Sequence, residues 1–453
     1  MQLGTRRLLD RAFSGLGFIS IGLMAASLLV ILTPIFVRGF GAFVFQGTIE
    51  FRRMQLERFE RGDRDEIEAE LTTARRARQP VYEMLDAFDT EMGEMGFLER
   101  REYEGPREEL EDALRELLGP RPEDPVPVMA RDQYGATRWD RAREKIDLVL
   151  YRTEYDYSDR TRMGVPVSVP RVEDFRGTAL EALFDYVELH ATEMLRPRWT
   201  LYLRFLTDHS IDAHFFGGIW PEVLGTLYLT LGAMIFALPM GVVSAIYLVE
   251  YAGEGRLISL LRTFISTLAG VPSIVFGLFG LAFFINTLKI TESKSLLAGS
   301  LTLATLVLPT VIRASEEAIR SVPTTYREAA LSLGASKWRA IVTVILPASL
   351  PGILTGVVIS MGRAAGETAP IIFTAAVSVG KALDFAKVKF WETLSEATPA
   401  LPWNIYNLAT EHEAVDEIRH VQFGMVFTLV MLVLILNATA IFLRARISKK
   451  LRG

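Results

Sequence analysis

Six apolar runs decide what this chain can become. They fall at residues 13–37, 224–249, 270–288, 296–312, 351–377 and 423–443. A helix needs about 20 apolar residues to cross a bilayer. Inside the bilayer every backbone N–H and C=O must find its partner within the protein. The predicted fold class is therefore an all-α polytopic membrane protein with six transmembrane helices. Arg6, Arg7 and Arg11 precede the first run. That run is long and has no small-x-small site after it, so it reads as a retained anchor rather than a cleaved signal peptide. The arginines place the N-terminus in the cytoplasm, and six spans return the C-terminus there. On this topology the two ends and the loops at 250–262 and 313–339 carry 15 basic against 6 acidic residues, the bias of a cytoplasmic face.

The first two runs are separated by a polar stretch. Between Gln46 and Arg196 it holds 36 acidic against 24 basic residues, so it is strongly acidic in a chain of net charge −5. Such a block suits a solvated domain and gives nucleic acid nothing to bind. It is expected to lie on the extracytoplasmic side, where long domains cross regardless of charge. Residues 47–118 are rich in helix formers and read as two or three charged helices. Pro120, Pro122, Pro125 and Pro127 end them. Residues 146–157 alternate like a strand, Gly164–Pro170 suits an edge strand, and 175–195 reads as helix. The insertion is thus α or α+β. The short aromatic stretch that follows, Trp199 to Leu206, reads as a helix lying at the membrane interface. The domains predicted are 1–45 (tail and first span), 46–197 (insertion), 198–223 (interfacial segment) and 224–453 (five-span core).

Enzymatic and metal chemistry have little to stand on. There is no cysteine, and the five histidines show no metal-ligand spacing. The acidic runs at Glu66, Glu68, Glu70 and at Glu108, Glu109, Glu111, Asp112 read as solvated helix faces. No Gly-x-x-x-x-Gly-Lys-[Ser/Thr] phosphate loop is present, so ATP is not bound by this chain.

Two pieces carry the function. The first is the polar loop 327–347. Glu328, Ala329 and Ala330 open a short helix, Gly334 ends it in the left-handed region, and Lys337 starts another that Leu346-Pro347 stops. A helix-turn-helix on a cytoplasmic face suits a partner's groove. Periodicity alone equally allows a merely well-capped loop. The second piece is Gly362-Arg363-Ala-Ala-Gly-Glu367-Thr368-Ala-Pro370, inside the fifth run. Arg363 and Glu367 stand four apart and share a helix face. A charge at mid-membrane costs about 2.5–3.5 kcal/mol on insertion scales, so such residues face a bundle interior or a pathway. The pair is either a tether between helices or a step on an anion's route, for which a guanidinium fork is matched. Thr368 either adds a donor there or bonds back to its own helix.

Glu328-Ala329-Ala330, then Gly334 after three residues, then Val344-x-Leu346-Pro347 after nine more, resembles the EAA loop of ABC importer permeases. That family usually has Ile at the position of Val344. The resemblance continues through Gly270–Gly280, Gly352-Ile-Leu-Thr-Gly356 and Gly362–Pro370. Together these are similar to the A-type permease subunits of phosphate importers, within the binding-protein-dependent transport system inner-membrane component family. Gly-Glu-Thr-Ala-Pro favours the A-type over the sister C-type, which reads Glu-Thr-Met-Ala. The likeness covers residues from about Pro221 onward and leaves the insertion out. It implies a bacterial inner-membrane protein without catalysis of its own. The partners it implies are a C-type sister permease, a pair of ATPase subunits docked at Glu328–Gly334 and Leu346-Pro347, and an extracytoplasmic phosphate-binding protein. ATP would act only through the ATPases, and Arg363 would lend positive potential to a dehydrating phosphate while Glu367 prevents its trapping. Two other readings stay open: a permease for sulfate or molybdate, and a membrane sensor or scaffold derived from a transporter.

Overall fold

The computed structural model describes residues 3–156, 164–253, 255–383 and 390–452. The chain forms two compact units: Met1–Ala42 with Arg204–Ser210 and Gly217–Gly453, and Phe43–Leu203 with Ile211–Phe216. In chain order, helix α1 (Leu3–Phe40) is followed by the inserted unit: β1 (Val44–Gly47), α2 (Ile49–Phe59), α3 (Arg64–Glu94), α4 (Phe97–Leu118), α5 (Trp139–Leu150), β2 (Tyr151–Asp156), β3 (Val165–Pro170), α6 (Glu181–Leu195) and β4 (Arg198–Leu201). The rest is α7 (Trp220–Ile246), α8 (Arg256–Leu268), α9 (Ser273–Gly280), α10 (Leu296–Arg320), α11 (Thr324–Ser332), α12 (Lys337–Ala340), α13 (Leu346–Gly366), α14 (Ala369–Thr374), α15 (Phe390–Leu394), α16 (Leu401–Thr410) and α17 (Arg419–Arg452).

The inserted unit has its own core, built on Phe88, Leu110, Leu117, Phe175, Leu183 and Met194, all fully buried or nearly so. Val81, Leu85, Phe88 and Met92 recur every three to four residues and form the buried stripe of α3. Asp63 caps that helix by accepting from the N–H groups of Asp65 and Glu66. Behind the core, Arg78 pairs with buried Glu50 at 2.7 Å and donates to the carbonyls of Met194 and Leu118. One guanidinium thus ties α2, α3, α4 and α6 together. The unit is α+β, with β1 antiparallel to β4 and β2 antiparallel to β3.

Two expectations here need correction. Residues 146–150 are helical, because Ala142, Ile146 and Val149 bury one face of α5; the strand begins only at Tyr151. Tyr157 lies outside the described residues. The segment from Trp199 is not an interfacial helix. It is strand β4, then a 3-10 turn at Leu203–Leu206, and its apolar residues alternate with period two, not 3.6.

In the other unit, five helices among the described residues are long and apolar enough to cross a membrane: Ala12–Phe40, Trp220–Tyr251, Leu296–Arg320, Lys337–Gly366 and Arg419–Lys449. A sixth span is available if Arg256–Leu268 and Ser273–Thr287, bent by 101° across the break at 269–272, count as one. Gly241 packs against Val311, Gly356 against Ala314 and Gly352 against Ala318, so α7, α10 and α13 approach closely. Helix α1 packs on α17, with Phe36 edge-on to Phe427 at 5.4 Å.

Three further differences lie in this unit. Leu346-Pro347 does not stop the loop's second helix. A π turn at Ile341–Ile345 accommodates the proline ring, and the helix runs on from Lys337 to Gly366. The fifth run is not one helix to Val377. It breaks after Gly366, because Pro370 has no N–H to offer the Gly366 carbonyl and its ring would collide with it. The polar loop 381–422 contains α15 and α16; its residues 384–389 lie outside the described ones.

Candidate functional site

Arg363 occupies the last turn of α13, and Glu367 caps that helix in extended conformation, ψ 122°. The Arg363 Nε donates to Glu367 Oε1 at 3.2 Å. The side chains are 34% and 20% exposed, so the pair faces an accessible space rather than a packed interior. Among the described residues no other acceptor meets the guanidinium. A guanidinium has five N–H donors, so four remain available to an incoming acceptor. The pair is therefore not a bidentate clamp joining two helices. It lies within one short segment and leaves the fork half used.

Thr368 begins the next piece. Its hydroxyl points to the Pro402 carbonyl of α16 at 3.5 Å, not back into its own helix. The helix break is supported from behind. Gly277 of α9 packs onto the Ala369 carbonyl and Pro370 Cα, where a β-carbon would come within 3.0 Å of both. The glycine motif at 270–280 and the Gly-Glu-Thr-Ala-Pro motif, far apart in sequence, are thus one packing unit. Ser295 secures the same region: its N–H donates to the Thr374 carbonyl at 2.8 Å while its hydroxyl caps α10.

A buried polar cluster lies where α16 meets α7. Asn404 Nδ2 donates to Glu222 Oε1 at 3.0 Å, and the Leu401 N–H donates to the Thr226 hydroxyl at 2.8 Å. Glu222 and Asn404 are essentially without solvent exposure. Sequence reasoning missed this cluster. Pro402 disguises a helix start as a loop, although proline in the first turn is a helix-opening signal.

The polar loop folds as a helix-turn-helix. Helix α11 ends at Ser332 with Leu333 as its C-cap, and Gly334 follows at φ +81°, the left-handed conformation that glycine adopts without strain. Ser336 then caps α12 by accepting from the Arg339 N–H. Arg327 fastens the loop to the membrane helices. It pairs with Glu250, just beyond α7, at 2.8 Å, and donates to the carbonyls of Val322 and Ile319 at 2.7 and 2.9 Å. Glu250 was not singled out from sequence; it sits in a short polar turn and looks like any surface acid. Ala330 is buried beneath the loop, while Glu328 and Ala329 are not. Large apolar side chains also face outward: Leu333 is 89% exposed, Trp338 63%, and Tyr326 and Leu331 51% each. Leu346 and Pro347 lie half-buried farther along the same continuous helix. The loop is tied to the helices through Arg327, and its outer face mixes these apolar side chains with exposed Glu328, Lys337 and Arg339.

The sequence profile described as "Binding-protein-dependent transport system inner membrane component" matches residues 237–453. A probable ABC transporter permease, YqgI of Bacillus subtilis, is 32% identical over 280 residues, covering 60% of this chain and 91% of that protein. The phosphate transport system permease PstA 1 of Mycobacterium tuberculosis H37Rv is 37% identical over 246 residues, 54% of this chain and 74% of its own. PstA of Yersinia pestis is 35% identical over 227 residues, 49% and 71% respectively. Among solved structures, an inward-facing MetNI methionine ABC transporter aligns with 51% of this chain and 94% of its own at 17% identity and a TM-score of 0.37. A bacterial ABC transporter that imports alginate aligns with 55% and 84% at 16% identity and a TM-score of 0.39.

Proposed function

The chain belongs to the binding-protein-dependent transport system inner membrane component family, and on that premise we propose that it is the membrane-spanning permease subunit of an ATP-driven phosphate importer. The observation that carries the substrate step is the half-used Arg363 guanidinium at a helix break. A phosphate leaving water must replace the hydrogen bonds it loses. Arg363 offers donors in a fork that matches two phosphate oxygens. Glu367, already bonded to Nε, competes for the guanidinium and draws it back once the anion moves on, so binding stays weak enough for release. Thr368 adds a hydroxyl beside the same break.

The chain forms this path with a sister permease. The exposed faces of α11 and α12 receive the ATPase subunits, and the Arg327–Glu250 ion pair passes their motion to α7 and α10. ATP hydrolysis takes place on those partners, and this chain binds no cofactor itself. An extracytoplasmic binding protein delivers phosphate. Both termini lie in the cytoplasm and the insertion on the opposite side. The test is ATP-dependent uptake of labelled phosphate by proteoliposomes holding this chain with its co-encoded partners. Accumulation that excess sulfate and molybdate leave intact supports the proposal; transport of either competitor in place of phosphate overturns it.

A further inference from the structure

Helices α8 and α10 wall a cavity that the passage proposed at Arg363 does not use. Ile258, Arg262 and Ile265 recur at helical spacing along α8 and share one face. The two isoleucines pack with Leu248 and Ile312, and Arg262 donates to the Leu248 carbonyl at 3.0 Å. Arg313, Glu316, Glu317 and Arg320 occupy the last turns of α10. Together with Arg262 and Ile265 they line an open cavity of about 380 Å³, the size of a small-ligand site. Apart from Ile265 the lining is ionic, three guanidiniums against two carboxylates.

These charges are unevenly paired. Glu316 is engaged twice, by Arg320 at 2.7 Å and by Arg262 at 3.1 Å. The Arg262 Nε–H is not aimed at that carboxylate and is buried without a hydrogen bond. Arg313 stands three residues before Glu316 and four before Glu317, yet its side chain has no ion pair or hydrogen bond among the described residues. The carbonyl end of α10 would repel an anion, but it is covered. Arg327 donates to the Ile319 carbonyl at 2.9 Å, and the Ser321 N–H to that of Glu317 at 3.0 Å. Arg313 and Glu317 thus repeat the spacing of Arg363 and Glu367, at the end of α10 from which the polar loop 327–347 leaves.

We propose that this cavity is a second phosphate station, from which the anion is released beside the polar loop; the inference rests on the phosphate-importer reading. Arg313 supplies an unoccupied fork for two phosphate oxygens. Arg262 and Arg320 add positive potential and keep Glu316 engaged. Glu317 keeps the net charge low, so the anion is held weakly enough to leave, as passage through successive sites requires. The headgroup of an anionic phospholipid offers the same phosphate chemistry, and the test separates the two.

Phenylglyoxal modifies accessible guanidiniums, and mass spectrometry reads each arginine separately. The full chain is treated in phosphatidylcholine nanodiscs. Saturating inorganic phosphate should slow modification of Arg313 by about fivefold or more relative to chloride at equal ionic strength. Arg256, exposed at the start of α8, should react unchanged. Protection should persist in Arg363→Leu, and it needs no transport, so the site is read even where the importer reading fails. In proteoliposomes with the partner subunits, Arg313→Gln should lower the maximal rate of phosphate uptake about fivefold or more and KM in proportion, because capture precedes release. Arg313 left unprotected by phosphate overturns the proposal. So does a maximal rate that falls with KM unmoved, the mark of fewer working transporters. Nanodiscs of phosphatidylglycerol that protect Arg313 without added phosphate would assign the cavity to a lipid headgroup and overturn it equally.

Discussion

The four uncommitted donors of Arg363 are the most consequential feature at the scale of single residues. A structural tether would use its fork fully; this one spends a single N–H on Glu367, 3.2 Å away. If Glu367 limits how long an anion stays, Glu367→Gln should lower both the KM and the maximal rate of phosphate uptake, since capture improves and release slows. Initial-rate uptake at varied phosphate checks this, and an unchanged KM would remove Glu367 from the cycle. The pair was legible in sequence, because two opposite charges four apart in an apolar run are costly to place in a bilayer and therefore stand out. The break beside it was less so. Pro370 foretold it, by denying the Gly366 carbonyl its partner, yet the apolar run continues without a polar interruption and invites one long helix.

At the scale of elements, the polar loop 327–347 shows local chemistry prevailing. Glycine at φ +81°, a serine cap and short helices follow directly from residue types, and were foreseeable. Its continuation through Pro347 was not, since a π turn leaves no signature in composition. Strand β4 and helix α5 exchange roles with the patterns expected of them, because short apolar stretches satisfy periods of two and 3.6 almost equally well. Leu333, 89% exposed, has no folding duty. Leu333→Ser should leave thermal stability within about 0.5 kcal/mol and weaken ATPase association at least tenfold, as read by co-purification titrated against ATPase concentration. Undiminished association would move the docking surface elsewhere.

At the scale of the whole molecule, the acidic insertion and the membrane-embedded unit have separate cores. They should unfold separately. Phe88 is fully buried in the insertion's core, and Phe88→Ala should cost that unit about 3–5 kcal/mol. Calorimetry should show one transition falling and the other unmoved; a single shared transition would show that the units fold as one. The boundaries of the insertion were legible because charge and apolar runs separate so sharply in sequence. Its internal fold was not, because its core is assembled from residues as distant as Val81 and Leu195. If Arg363 and Glu367 form the phosphate's passage through the membrane, as proposed, the double variant Arg363→Leu/Glu367→Gln must close it. This change removes both charges, so no unpaired ion remains to destabilise the fold. In proteoliposomes with the partner subunits, the variant should assemble normally and carry phosphate at least about 100-fold more slowly than the unaltered chain, the loss of roughly 2.7 kcal/mol in the barrier. Uptake at the unaltered rate would show that the pair only holds the helix break together.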